Sequence, residues 1–229
     1  MTTATPGARG TAALRGKRVL ILSGPTREYL DPVRYLSNAS SGRMGRALAE
    51  AAAAAGAEVA FVTGPVDDTQ VPSGPAIRVQ RVVSAAQMLD AGLAAFRSAD
   101  VVLFVAAVAD YRPVRASPRK KPKSLGLSCL ALRPTPDIAA TLGARKRPGQ
   151  VLVGFALESA DGLARARRKL ARKKLDAIVL NGPSSMGADA ASFQFVTSAP
   201  ASRAEDWGRI SKTSCARRIL ARAAARMGS

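Results

Sequence analysis

Ser40-Ser41-Gly42, with Gly45 three residues on, sets two hydroxyls and two residues without side chains at the start of an alanine-rich stretch. Hydroxyl donors, close backbone approach and the free N–H groups of a helix N-terminus together make a place for a phosphate. The spacing is neither a Walker A loop nor G-x-G-x-x-G, so it suggests anion binding without a common nucleotide fingerprint. Ala106-Ala-Val-Ala-Asp110 ends an apolar run on small residues, where a ligand can lie against the backbone, and offers a carboxylate able to accept bonds from ribose hydroxyls. Arg165, Lys169 and Lys173 recur every four residues and share one helix face. The chain has no histidine, which removes Ser-His-Asp and Cys-His hydrolases, histidine zinc sites and imidazole acid-base chemistry. Cys129 and Cys215 are too few for a disulfide scaffold or a four-thiolate metal site, so a reducing cytoplasm is expected. Lys and Arg number 35 against 16 acids, a net charge of +19 that calls for an anionic partner: nucleic acid, an acidic membrane surface or a phosphorylated small molecule.

A scaffold must position these groups, and 229 residues with 47% apolar content suffice for one α/β domain. Residues 1–16 read as a disordered tail and 17–229 as a single domain. Lys17–Ser23 is a buried strand ended by Gly24-Pro25, Gly42–Ala55 a helix broken at Gly56, and Glu58–Thr63 the next strand. Ile77–Val83 reads as a strand, and Ser84-Ala-Ala-Gln87 as a capping box opening a helix to about Arg97. Asp100–Ala107 is a further strand. Arg112–Lys123 holds six cations, three prolines and no acid, and reads as a mobile basic loop. A strand is expected at Leu125–Leu132, a helix with Pro136 as its first residue, and strands at Gln150–Phe155 and Asp176–Leu180. A long helix over 159–174 would pack Leu163, Ala166 and Leu170 inward. Ser192–Thr197 would be an edge strand, and Ser211–Met227 a basic amphipathic helix. The alternation predicts an α/β fold: a doubly wound, Rossmann-like, mostly parallel sheet with helices on both faces and a small strand extension. No apolar run approaches the ~18 residues a membrane span needs, the longest being Val101–Ala109.

The 22 residues Gly24–Gly45 run from the end of the first strand into its helix through a loop far longer than the about two to six residues of a usual connection. With Ala106–Tyr111, Thr135-Pro-Asp-Ile138 and Val153-Gly-Phe-Ala156, this segment closely resembles the phosphopantothenoylcysteine synthetase (phosphopantothenate cysteine ligase) family. The motifs keep their order over Lys17–Asn181. Beyond Asn181 the likeness thins to Gly187-x-Asp189 and Ser211-Lys212, with Ala191 where the family often has Asn. Many bacterial members sit behind a flavin-dependent decarboxylase half, for which this chain has no room, so a monofunctional form is expected.

The resemblance implies ligation of 4'-phosphopantothenate to L-cysteine through an acyl-nucleotide, with a nucleoside triphosphate and Mg²⁺. Such chemistry needs alignment and charge stabilisation more than a histidine base. It implies Asn38 as the amide contacting the acyl phosphate, Arg34 at the reacting carboxylate or phosphate, and Lys120 on a flap that closes over the nucleotide. That flap here reads Lys120-Lys121-Pro122-Lys123, with proline inside a lysine motif. Nucleotide contacts are implied for Gly24, Ser40, Ser41, Gly42, Gly45, Phe104, Val105, Ala106, Asp110, Pro136, Asp137, Ile138, Ala139, Phe155, Lys169 and Lys173. Substrate contacts are implied for Asn38, Ala106 and Ala107; metal ligands are not assigned. The family's flap and strand extension join across two protomers, which implies a homodimer, with Leu125–Leu132 and Ser192–Thr197 as candidate extension strands. The Ala- and Arg-rich composition is that of a GC-rich bacterial coding sequence, and bacterial members use CTP where eukaryotic ones use ATP.

Two other classes compete. A nucleic-acid-binding module would account for the charge, but only six Phe, three Tyr and one Trp are present, and none interleaves the 165–174 cations as a stacking platform. A dinucleotide-dependent reductase lacks its glycine fingerprint, and Thr63-Gly64 stands where an acidic ribose anchor belongs.

Overall fold

Arg18–Ser23 (β1) is buried along all but its first residue, as a strand covered on both faces must be. The computed structural model describes residues 14–120, 122, 129–158, 162–185, 187–198 and 203–227. After β1 come two short strands, Arg27–Tyr29 (β2) and Tyr35–Ser37 (β3), then Arg43–Ala54 (α1), Glu58–Thr63 (β4), Ile77–Arg81 (β5), Ala85–Phe96 (α2) and Val101–Phe104 (β6). The second half runs Tyr111–Pro113 (β7), Leu132–Pro134 (β8), Ile138–Gly143 (α3), Val151–Leu157 (β9), Gly162–Lys173 (α4), Ala177–Asn181 (β10), Ala190–Thr197 (β11), Glu205–Ser211 (β12) and Lys212–Met227 (α5).

Eight strands form one sheet in the order β12-β11-β10-β9-β6-β1-β4-β5. Neighbours from β5 to β10 are parallel, whereas β11 and β12 add on antiparallel. Strand order reverses between β1 and β6, and the carboxyl ends of this pair flank the crevice where doubly wound sheets bind ligands. Alternate residues of β1 face opposite sides: Val19 and Ile21 pack with Leu48, Ala49 and Ala52 of α1 and with the apolar face of α5. Leu20 and Leu22 pack with α2, α3 and α4. The doubly wound, mostly parallel architecture is therefore present, and among the described residues no helix is long and apolar enough to cross a membrane.

Local signals account for several boundaries. Ser84 accepts from the Gln87 N–H while Gln87 returns to the Ser84 backbone, the expected capping box. Asp137 caps α3 by accepting from Ala140 N at 3.0 Å, so Pro136 precedes the cap instead of occupying the first helical position. Leu14 is fully buried in the core, so the folded chain includes residue 14 and does not start at 17. The basic segment opens as a strand, because β7 pairs with β8; of the anticipated strand at Leu125–Leu132, 125–128 lie outside the described residues, and of 129–132 only Leu132 belongs to a strand. Ser192–Thr197 is interior to the sheet, not its edge, since β12 covers it. On α4, Ala166 and Leu170 are buried but Leu163 is 36% exposed, against the inward stripe expected of all three.

Cys215 sits fully buried on α5, where burial pushes its thiol up to about 12, and Cys129 is exposed. Because the thiolate is the reactive form, a thiol reagent at pH 8 should label one cysteine per native chain and two after denaturation. Rapid double labelling of the folded protein would show that α5 is loosely packed.

Candidate functional site

The long connection after β1 is tied down by polar groups from both sides of the crevice. Glu28 on β2 is buried and accepts from Ala85 N at 2.7 Å, fastening the β2–β3 hairpin to the start of α2. Thr26 Oγ1 accepts from Ala109 N at 3.0 Å, Ser37 Oγ donates to Thr26 O at 2.8 Å, and Ala107 N donates to Gly24 O at 2.9 Å. Asn38 Nδ2 donates to Val108 O at 2.9 Å, so the Asn38 amide is held by the segment that leaves β6. Gly42 adopts φ of 76° at the N-cap of α1, a left-handed conformation suited to glycine. At Gly45 a Cβ would lie 1.9 Å from Ser23 Oγ, so only glycine lets α1 start this close to the end of β1.

Two cavities open at these strand ends and share Ala39, Ala106, Ala107, Phe155 and Leu157 as a common wall. The larger, about 780 Å³, collects Asn38, Phe104, Asp110, Pro136, Asp137, Ile138, Ala139, Lys169 and Lys173 from well-separated stretches of chain. The smaller, about 220 Å³, is formed around the start of α1 by Ser40, Ser41, Gly42 and Gly45, with Val105 opposite. Three anticipated residues line neither cavity. Gly24 stands behind the connection, where a Cβ would meet Thr63 Oγ1 at 3.0 Å. Lys120 is exposed beyond β7. Arg34 lies in the β2–β3 turn, its Nε 2.9 Å from the buried Asp31 Oδ2.

The charges are paired. The Arg34 guanidinium and the turn N–H groups of Val33 and Arg34 hold the Asp31 carboxyl well below the usual carboxylate range. The stability this supplies is complete above the ordinary carboxylate pKa of about 4 and is lost as pH falls. Lys169 Nζ donates to Glu158 Oε1 at 2.6 Å and Arg165 reaches Oε2 at 3.3 Å; the Lys169 bond is the main reason the Glu158 pKa is lowered. Lys173 Nζ donates to Asp137 Oδ1 at 2.9 Å. Burial works against the charged form of Asp137, yet Lys173 and the Ala140 N–H outweigh it and hold its pKa down.

Residues 14–227 match the family model described as the DNA/pantothenate metabolism flavoprotein C-terminal domain. The chain belongs to this family. The bifunctional coenzyme A biosynthesis protein CoaBC of Bacillus subtilis is 47% identical over 178 residues, 78% of this chain and 43% of that protein. A protein of an unknown prokaryotic organism, named cysteine/cysteine sulfinic acid decarboxylase, is 53% identical over 175 residues, 76% of this chain and 48% of its own. The chain thus spans less than half the length of these curated relatives. The crystal structure of the C-terminal domain of a CoaBC superposes with a TM-score of 0.80 at 35% identity, covering 95% of this chain and 98% of that one.

Within this DNA/pantothenate metabolism flavoprotein C-terminal domain, several cavity residues carry no obvious sequence signal. Arg172 lines the larger cavity beside the lysines, and Ser23, Asn181, Ser185 and Lys212 line the smaller. Ser23 looked like the last residue of a strand. Lys212 stood in the segment where the family likeness thins.

Proposed function

We propose that the chain is a phosphopantothenate cysteine ligase: it joins 4'-phosphopantothenate to L-cysteine with CTP, in the cytoplasm, as a step of coenzyme A biosynthesis. The observation that carries this reading is the pair of cavities meeting beside Asn38, each equipped for a different anion. The larger offers an apolar wall at Pro136–Ala139 for a base and the cations Lys169, Arg172 and Lys173 for a triphosphate. The smaller offers a helix N-terminus to the second phosphorylated substrate. The substrates meet at the Ala106-Ala107 wall, whose small side chains let both reach the Asn38 amide.

In this reading the substrate carboxylate attacks the α-phosphorus of CTP, the bond to the β-phosphate breaks, and pyrophosphate leaves. The cysteine amine then attacks the acyl carbon, the acyl–phosphate bond breaks, CMP departs, and the surplus amine proton passes to solvent. Asn38, already oriented by its bond to Val108 O, stabilises the oxyanion of the second step as a neutral donor. Mg²⁺ enters with the triphosphate as part of the substrate; among the described residues no three His, Cys, Asp or Glu side chains form a cage of their own.

Mass-spectrometric analysis of protein incubated with 4'-phosphopantothenate, cysteine, Mg²⁺ and either CTP or ATP should give phosphopantothenoylcysteine, pyrophosphate and the nucleoside monophosphate, with higher kcat/KM for CTP. Release of nucleoside diphosphate and phosphate would defeat the acyl-nucleotide route, and an equal or better kcat/KM with ATP would defeat the choice of base.

The proposal includes a homodimer. The β2–β3 and β7–β8 hairpins expose Tyr29, Val33, Tyr111, Val114 and Leu132, a set of apolar side chains that a second copy would cover. Because Ser192–Thr197 is interior, these hairpins replace it as the joining surface. A partner would also give Arg34 and Lys120, outside both cavities of their own chain, a cavity to reach. Sedimentation equilibrium at micromolar protein should show twice the 23.8 kDa chain mass; a monomer at that concentration would refute it.

A further inference from the structure

The smaller cavity contains two polar groups whose bonding is incomplete. Ser23 is 1% exposed, and its Oγ has no hydrogen-bond partner although it lines the cavity. A buried hydroxyl without a partner is costly and uncommon. Lys212, the first residue of α5, also lines this cavity. Its ammonium donates to the carbonyls of Ser185, at 3.2 Å, and Ala188, and no described residue takes the third N–H. Among the described residues no carboxylate touches it: Asp189, paired with Arg43 at 2.8 Å, acts on it only at a distance. Burial, reinforced by the nearby Arg43 charge, lowers the Lys212 pKa against the weaker opposing pull of Asp189. Between these groups lies the start of α1, with no side-chain cap and no acid in its first turn.

We infer that Ser23 Oγ and Lys212 Nζ, with the first-turn N–H groups of α1, hold the phosphomonoester of the acid substrate. This assignment rests on the ligase reading and adds the residues that read the non-reacting end of 4'-phosphopantothenate. A dianionic phosphate supplies what each group lacks: an acceptor for the Ser23 hydroxyl, an acceptor and counter-charge for Lys212, and a negative charge at an uncapped helix N-terminus. The nucleotide phosphates have their own cations in the larger cavity, across the Ala106-Ala107 wall. A phosphate fixed here is remote from the reacting carboxylate, and its binding energy aligns that carboxylate for attack.

The test compares 4'-phosphopantothenate with unphosphorylated pantothenate as acid substrates for wild type, Ser23→Ala, Lys212→Met and Lys212→Arg. Ser23→Ala breaks no bond within the protein, so its fold should be retained; Lys212→Arg keeps the charge if Lys212→Met loosens the loop at 183–189. Both contacts are hydrogen bonds to a charged phosphate, and loss of one such bond corresponds to about 10- to 100-fold. The kcat/KM preference for the phosphorylated acid should fall by that factor in Lys212→Met and Ser23→Ala, less in Lys212→Arg, with KM for the nucleotide nearly unchanged. Calorimetric affinity for 4'-phosphopantothenate without nucleotide should fall in parallel. An unchanged preference and affinity in both Ser23→Ala and Lys212→Met would overturn the assignment, as would a KM increase confined to the nucleotide. A wild type that binds 4'-phosphopantothenate without ligating it would refute the ligase reading, and the calorimetric arm would still decide the phosphate site.

Discussion

Asn38→Asp should lower kcat by about 10²- to 10³-fold while leaving CTP affinity nearly intact. The substitution keeps the size of the side chain and reverses two of its properties. A carboxylate cannot donate to Val108 O, now 2.9 Å from Asn38 Nδ2, so the orienting bond becomes a repulsion between oxygens. It also sets a negative charge beside the oxyanion of the amide-forming step. Nucleotide binding should persist, because Lys169, Lys173 and the Pro136–Ala139 wall are untouched. Calorimetry with CTP and single-turnover product analysis separate the two effects, and acyl-cytidylate accumulation would place the loss in the second step. A folded variant that ligates at a near-normal rate would show that the catalytic amide has been assigned to the wrong residue.

Gly45→Ala should reduce both stability and activity, though the residue bears no functional group. The added Cβ would lie 1.9 Å from Ser23 Oγ and 2.6 Å from its Cβ, so α1 must move away from β1. Overpacking of this kind costs about 1–3 kcal/mol. Moving the helix start also displaces the first-turn N–H groups, and a shift of about 1 Å can cost roughly 10²-fold in rate. The double variant Ser23→Gly/Gly45→Ala removes both contacts and should recover most of the melting temperature without recovering activity, because the Ser23 hydroxyl is then gone. Full activity in Gly45→Ala would mean that the start of α1 takes no part in the reaction.

Periodicity and punctuation in the sequence were enough to locate the parallel sheet. The runs in β1, β4, β6, β9 and β10 are buried on both faces and read directly as strands, and Ser84 with Gln87 announces α2. What was illegible has physical reasons. The β2 and β3 strands are three residues each, too short for alternation to register, and are held by side chains such as Glu28 whose partners are far along the chain. The β12 strand carries two acids and a Gly208 at φ of 62°, and its register with β11 shifts between Ser192 and Gln194, so no regular pattern survives. At the site, family likeness named many residues that line the two cavities but not their separation, which depends on which side of the Ala106-Ala107 segment each loop passes. Ser23 escaped notice because a serine ending a strand is unremarkable, and Lys212 entered only as part of the remnant Ser211-Lys212; the unpartnered hydroxyl and its place beside Lys212 in one cavity show only in three dimensions.

The pairing of Lys169 with Glu158 and of Lys173 with Asp137 sets an admission threshold for the larger cavity. Each lysine already has a resident carboxylate, so an incoming anion must outcompete an attached rival at two places together. A singly charged metabolite that displaces one carboxylate strands that acid beside its own charge and gains little. In the proposed reading a triphosphate would reach both lysines at once with enough charge to outbid both acids, and Arg172 lines the same cavity as an additional cation. On the proposed reading, a strongly basic protein surrounded by small cellular anions would thereby keep this cavity in reserve for polyphosphates, with Glu158 and Asp137 setting the selection.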